Sequence, residues 1–288
     1  MALHRKLCYF EVTVTFLYKV TFLNKHNLAL LLKLDKAMKK LENKVAIITG
    51  SSKGIGASIA KFFAAEGAKV VVNYASSKED ADKVVKAITD AGGSAVAVQA
   101  DVSKEADLFR LFEETKAVYG TLDILVNNAG IYQYAPVEQL TVEDIHQHFN
   151  INVLGAIVAI REAVKFFGEK GGNIINISSG VSTSPVATGS VYSATKAALD
   201  AVTIALSKEF GGRNIRINSI LPGVVETEGV HSAGFAGSDF INELIAKTPL
   251  GRAGQPEDIA KVAVFLASDD AAWITGEKIS VSGGVYGF

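Results

Sequence analysis

The chain has 288 residues, with 29 Lys and Arg against 30 Asp and Glu, 49% hydrophobic and 20% charged side chains, 26 Gly and 5 Pro. This is the profile of a globular chain long enough for a large core; it excludes a disordered or collagen-like protein. A formal charge of −1 gives no reason to expect nucleic acid or an anionic membrane as partner, and the single cysteine, Cys8, excludes an internal disulfide and a Cys-rich zinc site. No metal centre is expected, and a reducing, cytoplasmic compartment is the natural setting.

The charge is uneven. Residues 1–37 hold six basic side chains (Arg5, Lys6, Lys19, Lys25, Lys33, Lys36) and two acidic ones (Glu11, Asp35), whereas the remaining 251 residues hold 23 and 28. Glu11, Lys19, Lys25 and Lys33 cut the leading stretch into apolar runs far shorter than the roughly 18–20 residues that cross a bilayer. It has no unbroken apolar stretch with a small-residue cleavage site, as a secretory signal needs. Val12–Tyr18 reads as a short strand. Met38 is the only methionine besides Met1 and opens what reads as a complete domain, so residues 1–37 are expected to be a dispensable extension and 38–288 the folded body.

From Lys44 onward, short β-branched runs alternate with helical patterns. Strands are expected at Val45–Thr49, Lys69–Asn73, Ala95–Gln99, Ile124–Asn127, Asn173–Ile177, Arg216–Ile220 and Lys278–Val281. Helices are expected near 55–66, 78–91, 104–119, 142–168, 191–210 and 256–268. Continuously apolar strands such as Val45-Ala46-Ile47-Ile48 belong to sheets buried on both faces. Their alternation with helices implies right-handed crossovers and one doubly wound α/β domain with a seven-stranded parallel sheet. In such a fold, ligands bind beyond the carboxyl ends of the strands, so the chemistry should follow strand ends.

After the first strand comes Thr49-Gly50-Ser51-Ser52-Lys53-Gly54-Ile55-Gly56, opening a helix. Glycines allow a tight turn and close approach of a pyrophosphate, whose charge is met by free N–H groups at the helix start. The second strand leaves through Asn73-Tyr74-Ala75-Ser76-Ser77, with no acid before Glu79 to bind a ribose 2′-hydroxyl. Lys53, Ser52, Ser76 and Ser77 would suit a 2′-phosphate. NADP(H) is the expected cofactor, with NAD(H) the alternative.

Tyr192-Ser193-Ala194-Thr195-Lys196 sets a phenol and an ammonium four residues apart on one helical face. A free phenol titrates near pH 10, and a neighbouring cation brings it towards the range of general acid–base work. The spacing is not diagnostic by itself, since Tyr74 and Lys78 share it near a strand tip. Context separates the two. Ser179 lies at the end of the fifth strand, 13 residues before Tyr192, where a hydroxyl can hold a carbonyl oxygen; the equivalent position before Tyr74 is Lys61. Asn152 is expected in the long helix flanking the same cleft, as are His146 and His148, which are read as packed or solvated side chains.

Together these segments resemble the short-chain dehydrogenase/reductase family. The resemblance spans about 41–288 and includes Ala100-Asp101-Val102, Asn127-Asn128-Ala129-Gly130, Pro222-Gly223-Val224-Val225-Glu226-Thr227, Ile274-Thr275-Gly276-Glu277 and Val281-Ser282-Gly283-Gly284. It implies that Tyr192 exchanges the proton with the carbonyl or alcohol, and that Lys196 tunes Tyr192 and holds the nicotinamide ribose. It further implies that Ser179 orients the carbonyl and Asn152 completes a proton relay through water. Asp101 and Val102 would frame the adenine, with Asn128, Ala129 and Gly130 along the cleft and Pro222, Gly223, Val225 and Thr227 at the nicotinamide end. Members of this length are commonly homotetramers.

The expected substrate loops, 131–135, 181–189 and 226–240, hold Tyr132, Tyr134, Val186 and Phe235 and no obvious Arg or Lys to grip an anion. A small neutral or apolar ketone or aldehyde, or the matching alcohol, fits best. Gly229, Gly234 and Gly237 suggest a lid. A carbonyl reductase is the leading reading, with a 3-oxoacyl-carrier-protein reductase or a glucose 1-dehydrogenase as near alternatives. A catalytically silent dinucleotide sensor or scaffold is the alternative of another class.

Overall fold

The computed structural model describes residues 39–229 and 237–285. Cys8, the strand expected at Val12–Tyr18, and Gly234 and Phe235 of the expected lid lie outside the described residues. From Lys40 onward the chain is one compact unit.

Seven parallel strands form one sheet: β1 (Val45–Ile48), β2 (Lys69–Tyr74), β3 (Ser94–Gln99), β4 (Ile124–Asn127), β5 (Gly172–Ile177), β6 (Ile215–Pro222) and β7 (Lys278–Val281), in the order β3-β2-β1-β4-β5-β6-β7. The helices between them are α1 (Gly54–Ala65), α2 (Lys78–Asp90), α3 (Glu105–Tyr119), α4 (Val142–Phe149), α5 (Gly155–Phe166), α6 (Ser190–Phe210), α7 (Asp239–Ala246) and α8 (Pro256–Ala267). This is a single Rossmann-type α/β domain. Its strand boundaries fall within one or two residues of those expected, because a fully buried parallel strand has a continuous apolar run that turn residues end abruptly.

Two cores sandwich the sheet. Ala46, Ile48, Val70 and Val72 point to one face with Phe63 of α1 and Ile259 and Leu266 of α8; Val45, Ile47 and Val71 point to the other with Phe112 of α3 and Ile160 of α5. The period-two alternation of the pleat divides each strand between both cores. The strand order reverses between β1 and β4, opening a crevice at their carboxyl ends. Thr49 rivets the two ends there: its hydroxyl donates to the Val126 carbonyl and accepts from the Asn128 and Ala129 amides, each at 3.0 Å.

The structure corrects one element. The uninterrupted helix expected over 142–168 is broken by a π-helical turn, Asn150–Leu154, between α4 and α5. Apolar spacing does not register one extra residue per turn, but the widened turn is where Asn152 sits, as π-bulges often do at functional positions. Helix α7 was not anticipated, although Ser238 caps it by accepting from the Ile241 amide, and Ile241, Leu244 and Ile245 have helical spacing.

Candidate active site

The crevice splits into two adjoining cavities. The larger, about 460 Å³, is lined by Gly50, Ser52, Lys53, Gly54, Ile55, Ser76, Asp101, Val102, Asn128, Ala129, Gly130 and Thr227, among others. The smaller, about 220 Å³, is lined by Ser179, Tyr192, Lys196, Pro222, Gly223, Val225 and Thr227, and shares Ile55, Asn128, Gly130, Ile131, Tyr132 and Thr227 with the first. Segments up to about 180 residues apart in sequence thus converge on one cleft. Of the expected site residues, Gly56 and Asn152 line neither cavity; each acts from one layer behind.

The glycine loop is held from below. The Gly50 amide donates to Asn73 Oδ1 at 3.0 Å, while Asn73 Nδ2 donates to the Val98 and Ala100 carbonyls, fixing the loop against β2 and β3. Gly50 has φ +61°, and a Cβ on it would lie 2.8 Å from the Ala129 Cα. At Gly56 a Cβ would meet Asn128 Nδ2 at 2.4 Å and the Gly50 carbonyl at 2.7 Å, which is why this glycine supports the cleft without lining it. Both positions need the absence of a side chain.

Helix α1 begins without a capping side chain and without an acid in its first turn. The Gly54 amide instead donates to Glu228 Oε2 at 3.0 Å, a carboxylate brought from 174 residues away. That oxygen stands where a phosphate oxygen would, against the positive end of the helix, so the loop already accepts an anion. A dinucleotide pyrophosphate fits this cradle, and Ser52, Lys53, Ser76 and Ser77 line the same cavity. Sequence reasoning missed Glu228, because no local signal predicts so distant a contact. Asp101, also on this cavity, accepts from the Ser103 amide and hydroxyl at 3.0 and 2.7 Å. Burial raises its pKa, but those bonds and Lys104 outweigh it and hold the carboxyl below its usual range.

At the other end, α6 delivers Tyr192 and Lys196. The Lys196 ammonium is buried, donates to the Ile177 carbonyl at 2.8 Å and lies 5.8 Å from the Tyr192 ring centroid. Burial pushes its pKa down to about 8, against the opposing influence of Asp200. Ser179 follows β5 and caps the short turn Gly180–Ser182, its hydroxyl accepting from the Val181 amide at 3.4 Å while it lines the Tyr192 cavity. From the π-turn, buried Asn152 binds both backbone groups of Ile131 (2.8 and 2.9 Å) and donates to Thr195 Oγ1 at 3.1 Å. It therefore braces the loop after β4 against the Tyr192 helix. A Cβ on Gly130 would lie 3.2 Å from Asn152 Oδ1 and 3.5 Å from Lys196 Nζ, so this glycine lets the two approach.

The Tyr74/Lys78 pair of equal spacing is put to other use. Tyr74 ends β2, Lys78 starts α2, and Lys78 pairs with Asp82 at 2.6 Å. Of the two histidines, His148 is buried with Nδ1 2.7 Å from the Asp144 carbonyl, and neither lines the cleft cavities.

Tyr192 sits between two further rings, Tyr132 and Tyr134, each 6.1 Å away between centroids and tilted by 59° and 69°. Val181, Val186, Ile241 and Leu244 extend this wall, the last two from the unanticipated α7. Burial raises the Tyr132 pKa, which keeps that ring neutral.

A buried glycine-loop cleft joined to a Tyr–Lys helix defines a nicotinamide-dependent oxidoreductase. The comparisons agree. The family profile described as enoyl-(acyl carrier protein) reductase matches residues 50–286. An uncharacterized oxidoreductase of Methylorubrum extorquens is 56% identical over 248 residues, covering 86% of this chain and all of that protein. A short-chain dehydrogenase/reductase from Serratia marcescens superposes with a TM-score of 0.81 at 36% identity, over 86% of this chain and 99% of that one. The angucycline C-6 ketoreductase LanV, solved with bound NADP, gives 0.81 at 35% identity over 86% and 97%. The chain belongs to the short-chain dehydrogenase/reductase family and is an NAD(P)-dependent dehydrogenase/reductase.

Proposed function

We propose that this enzyme reduces a ketone or aldehyde to the alcohol with NADPH, reversibly, using Tyr192 as the general acid and, in oxidation, the general base. The observation that carries the reading is the burial of Lys196 beneath Tyr192, at the floor of an apolar cavity continuous with the dinucleotide cleft. When bound, the cofactor supplies the hydride. The chain supplies the rest. Ser179 donates to the carbonyl oxygen, Tyr192 protonates it, and the Lys196 cation favours the phenolate left behind while holding the nicotinamide ribose. Asn152 keeps the β4 loop and α6 in register and completes a proton relay through water.

NADPH is favoured over NADH because the β2 tip offers Ser76 and Ser77, Lys53 lines the same cavity, and no acid stands before Glu79 in the segment leaving β2. The LanV structure with bound NADP supports the same choice. The substrate is neutral and apolar, with an aryl ketone the best match: two tyrosine rings flank the reacting phenol, and among the described residues Lys196 is the one charged side chain lining the smaller cavity. This wall suits an aryl ketone better than glucose or a charged carrier thioester. We further infer a homotetramer, because Phe109, Val118, Leu154 and Ile157 leave apolar surface exposed on α3, the π-turn and the start of α5, and a cytoplasmic setting from the single cysteine. Among the described residues no helix is long and apolar enough to cross a membrane.

The test is NADPH oxidation across aryl ketones, aldehydes, β-keto esters and an acyl-carrier thioester analogue, with glucose plus NADP in reverse. Tyr192→Phe should abolish turnover and leave NADPH binding intact. Unchanged turnover would remove Tyr192 from the assigned chemistry, whereas a wild type that binds NADPH and turns over none of these substrates would leave a dinucleotide-binding scaffold. A larger kcat/KM for NADH would refute the cofactor choice.

A further inference from the structure

Asp200 has no place in the chemistry described so far, yet it is a buried carboxylate on the catalytic helix. It lies four residues beyond Lys196, one turn further along α6, and is 4% exposed. One oxygen, Oδ2, accepts from the Ser182 hydroxyl at 2.6 Å. The other, Oδ1, is buried without a hydrogen-bond partner. A buried carboxylate left half-satisfied costs stability, and such a group persists where its charge has a use.

Its two neighbours indicate the use. Ser182 closes the short turn that Ser179 caps, so the Ser182–Asp200 bond ties the Ser179 turn to the helix bearing Tyr192 and Lys196. Ser178 makes a second tie, donating to the Lys196 carbonyl at 3.3 Å. Lys196, one turn back, is an ammonium that donates to the neutral Ile177 carbonyl. Strand β5 meets it with that carbonyl, Ser178 and Ser179 line the same cavity, and the β4 side meets it with Gly130. Among the described residues, the titratable groups nearby are Tyr192 and Asp200 on its own helix and Tyr132 and Tyr134 beyond the Tyr192 ring. Asp200 is thus the anion available to balance the cation, and its charge opposes the effect of burial on Lys196.

We propose that Asp200 is a positioning residue of the reductase: its carboxylate sustains the charge of Lys196 and, through Ser182, locks the Ser179 turn to the Tyr192 helix. This rests on the function proposed above. Two variants separate the two roles. D200N keeps an oxygen to accept from Ser182 but removes the charge; S182A keeps the charge but cuts the tie.

The experiment measures kcat, KM and the pH profile of carbonyl reduction for the full-length wild type, D200N and S182A, with thermal unfolding of each. For D200N, kcat should fall about tenfold or more, with the alkaline limb moved to lower pH by about half a unit or more, as loss of a nearby anion requires. For S182A, kcat should fall with the limb in place. A folded D200N with wild-type kcat and limb would overturn the proposal. So would a D200N that fails to fold beside an S182A of wild-type rate, since the carboxylate would then be purely structural. A wild type without turnover would instead sink the reductase reading. The pH dependence of NADPH affinity, read by nicotinamide fluorescence, would then decide: the D200N limb should still lie lower, and an unshifted limb would overturn the proposal.

Discussion

At the scale of single residues, the site is governed by what burial does to charge. With its pKa near 8, Lys196 is cationic below that pH and neutral above it. The sign follows from the proposed mechanism: deprotonation would remove the cation proposed to favour the Tyr192 phenolate and to bind the ribose, so kcat/KM for reduction should be level at neutral pH and decline about tenfold per unit above pH 8. A pH–rate profile checks this, and Lys196→Arg, whose guanidinium does not titrate, should flatten the limb at a lower overall rate. Glu228 makes a separate prediction. Its carboxylate holds the Gly54 amide that a phosphate would use, so Glu228→Gln should strengthen NADPH binding about two- to fivefold, measured by fluorescence titration. Gly56→Ala works the other way: a methyl 2.4 Å from Asn128 Nδ2 and 2.7 Å from a backbone carbonyl displaces the loop, weakening NADPH about tenfold or more in the same titration. Tyr192, Lys196 and the glycines were legible in the sequence because their chemistry lies in local spacing. Glu228 and Asp200 were not, because their roles depend on which distant groups they meet.

At the scale of elements, a polar thread crosses the apolar sheet. Asn127 on β4 donates to Asn176 on β5 at 2.9 Å; Asn176 donates to Thr203 on α6 at 2.8 Å; and Thr203 meets the Ser219 hydroxyl on β6 at 2.8 Å. All four are buried. The thread fixes α6, and with it Tyr192, to the strands whose ends form the cleft. Asn176→Leu would take one partner from the Asn127 amide, which keeps the Ala156 carbonyl at 3.4 Å, and one from the Thr203 hydroxyl, which keeps Leu199 and Ser219, and should cost about 1–3 kcal/mol in urea unfolding. Strand apolarity and helical spacing read the elements well. They could not read the π-turn at Asn150–Leu154, since one added residue leaves the apolar stripe almost unchanged, nor the pairing of Asn127 with Asn176, which parallel register alone sets.

For the whole molecule, two expectations concern what lies around the fold. Apolar side chains exposed on α3, the π-turn and α5, with Phe109 55% accessible, predict association through this region. The double substitution Leu154→Glu and Ile157→Glu should lower the mass seen by light scattering to a dimer or monomer while the melting transition stays cooperative. Residues 1–37 are proposed to be dispensable, so a chain beginning at Met38 should keep the full-length enzyme's Tm and kcat; loss of either would show that the leader contributes. By itself, the sequence determined the seven-stranded α/β architecture, the dinucleotide loop and the Tyr–Lys pair, because buried-strand apolarity, glycine freedom and i, i+4 spacing are local physics written into neighbouring residues. Tertiary structure alone decided that Glu228 meets the Gly54 amide, that Asn152 on its π-turn meets Ile131 and Thr195, that Tyr132 and Tyr134 flank Tyr192, and that Asp200 meets Ser182. Each of these depends on groups far apart in the chain meeting within a few ångströms, and only the packed sheet brings them there.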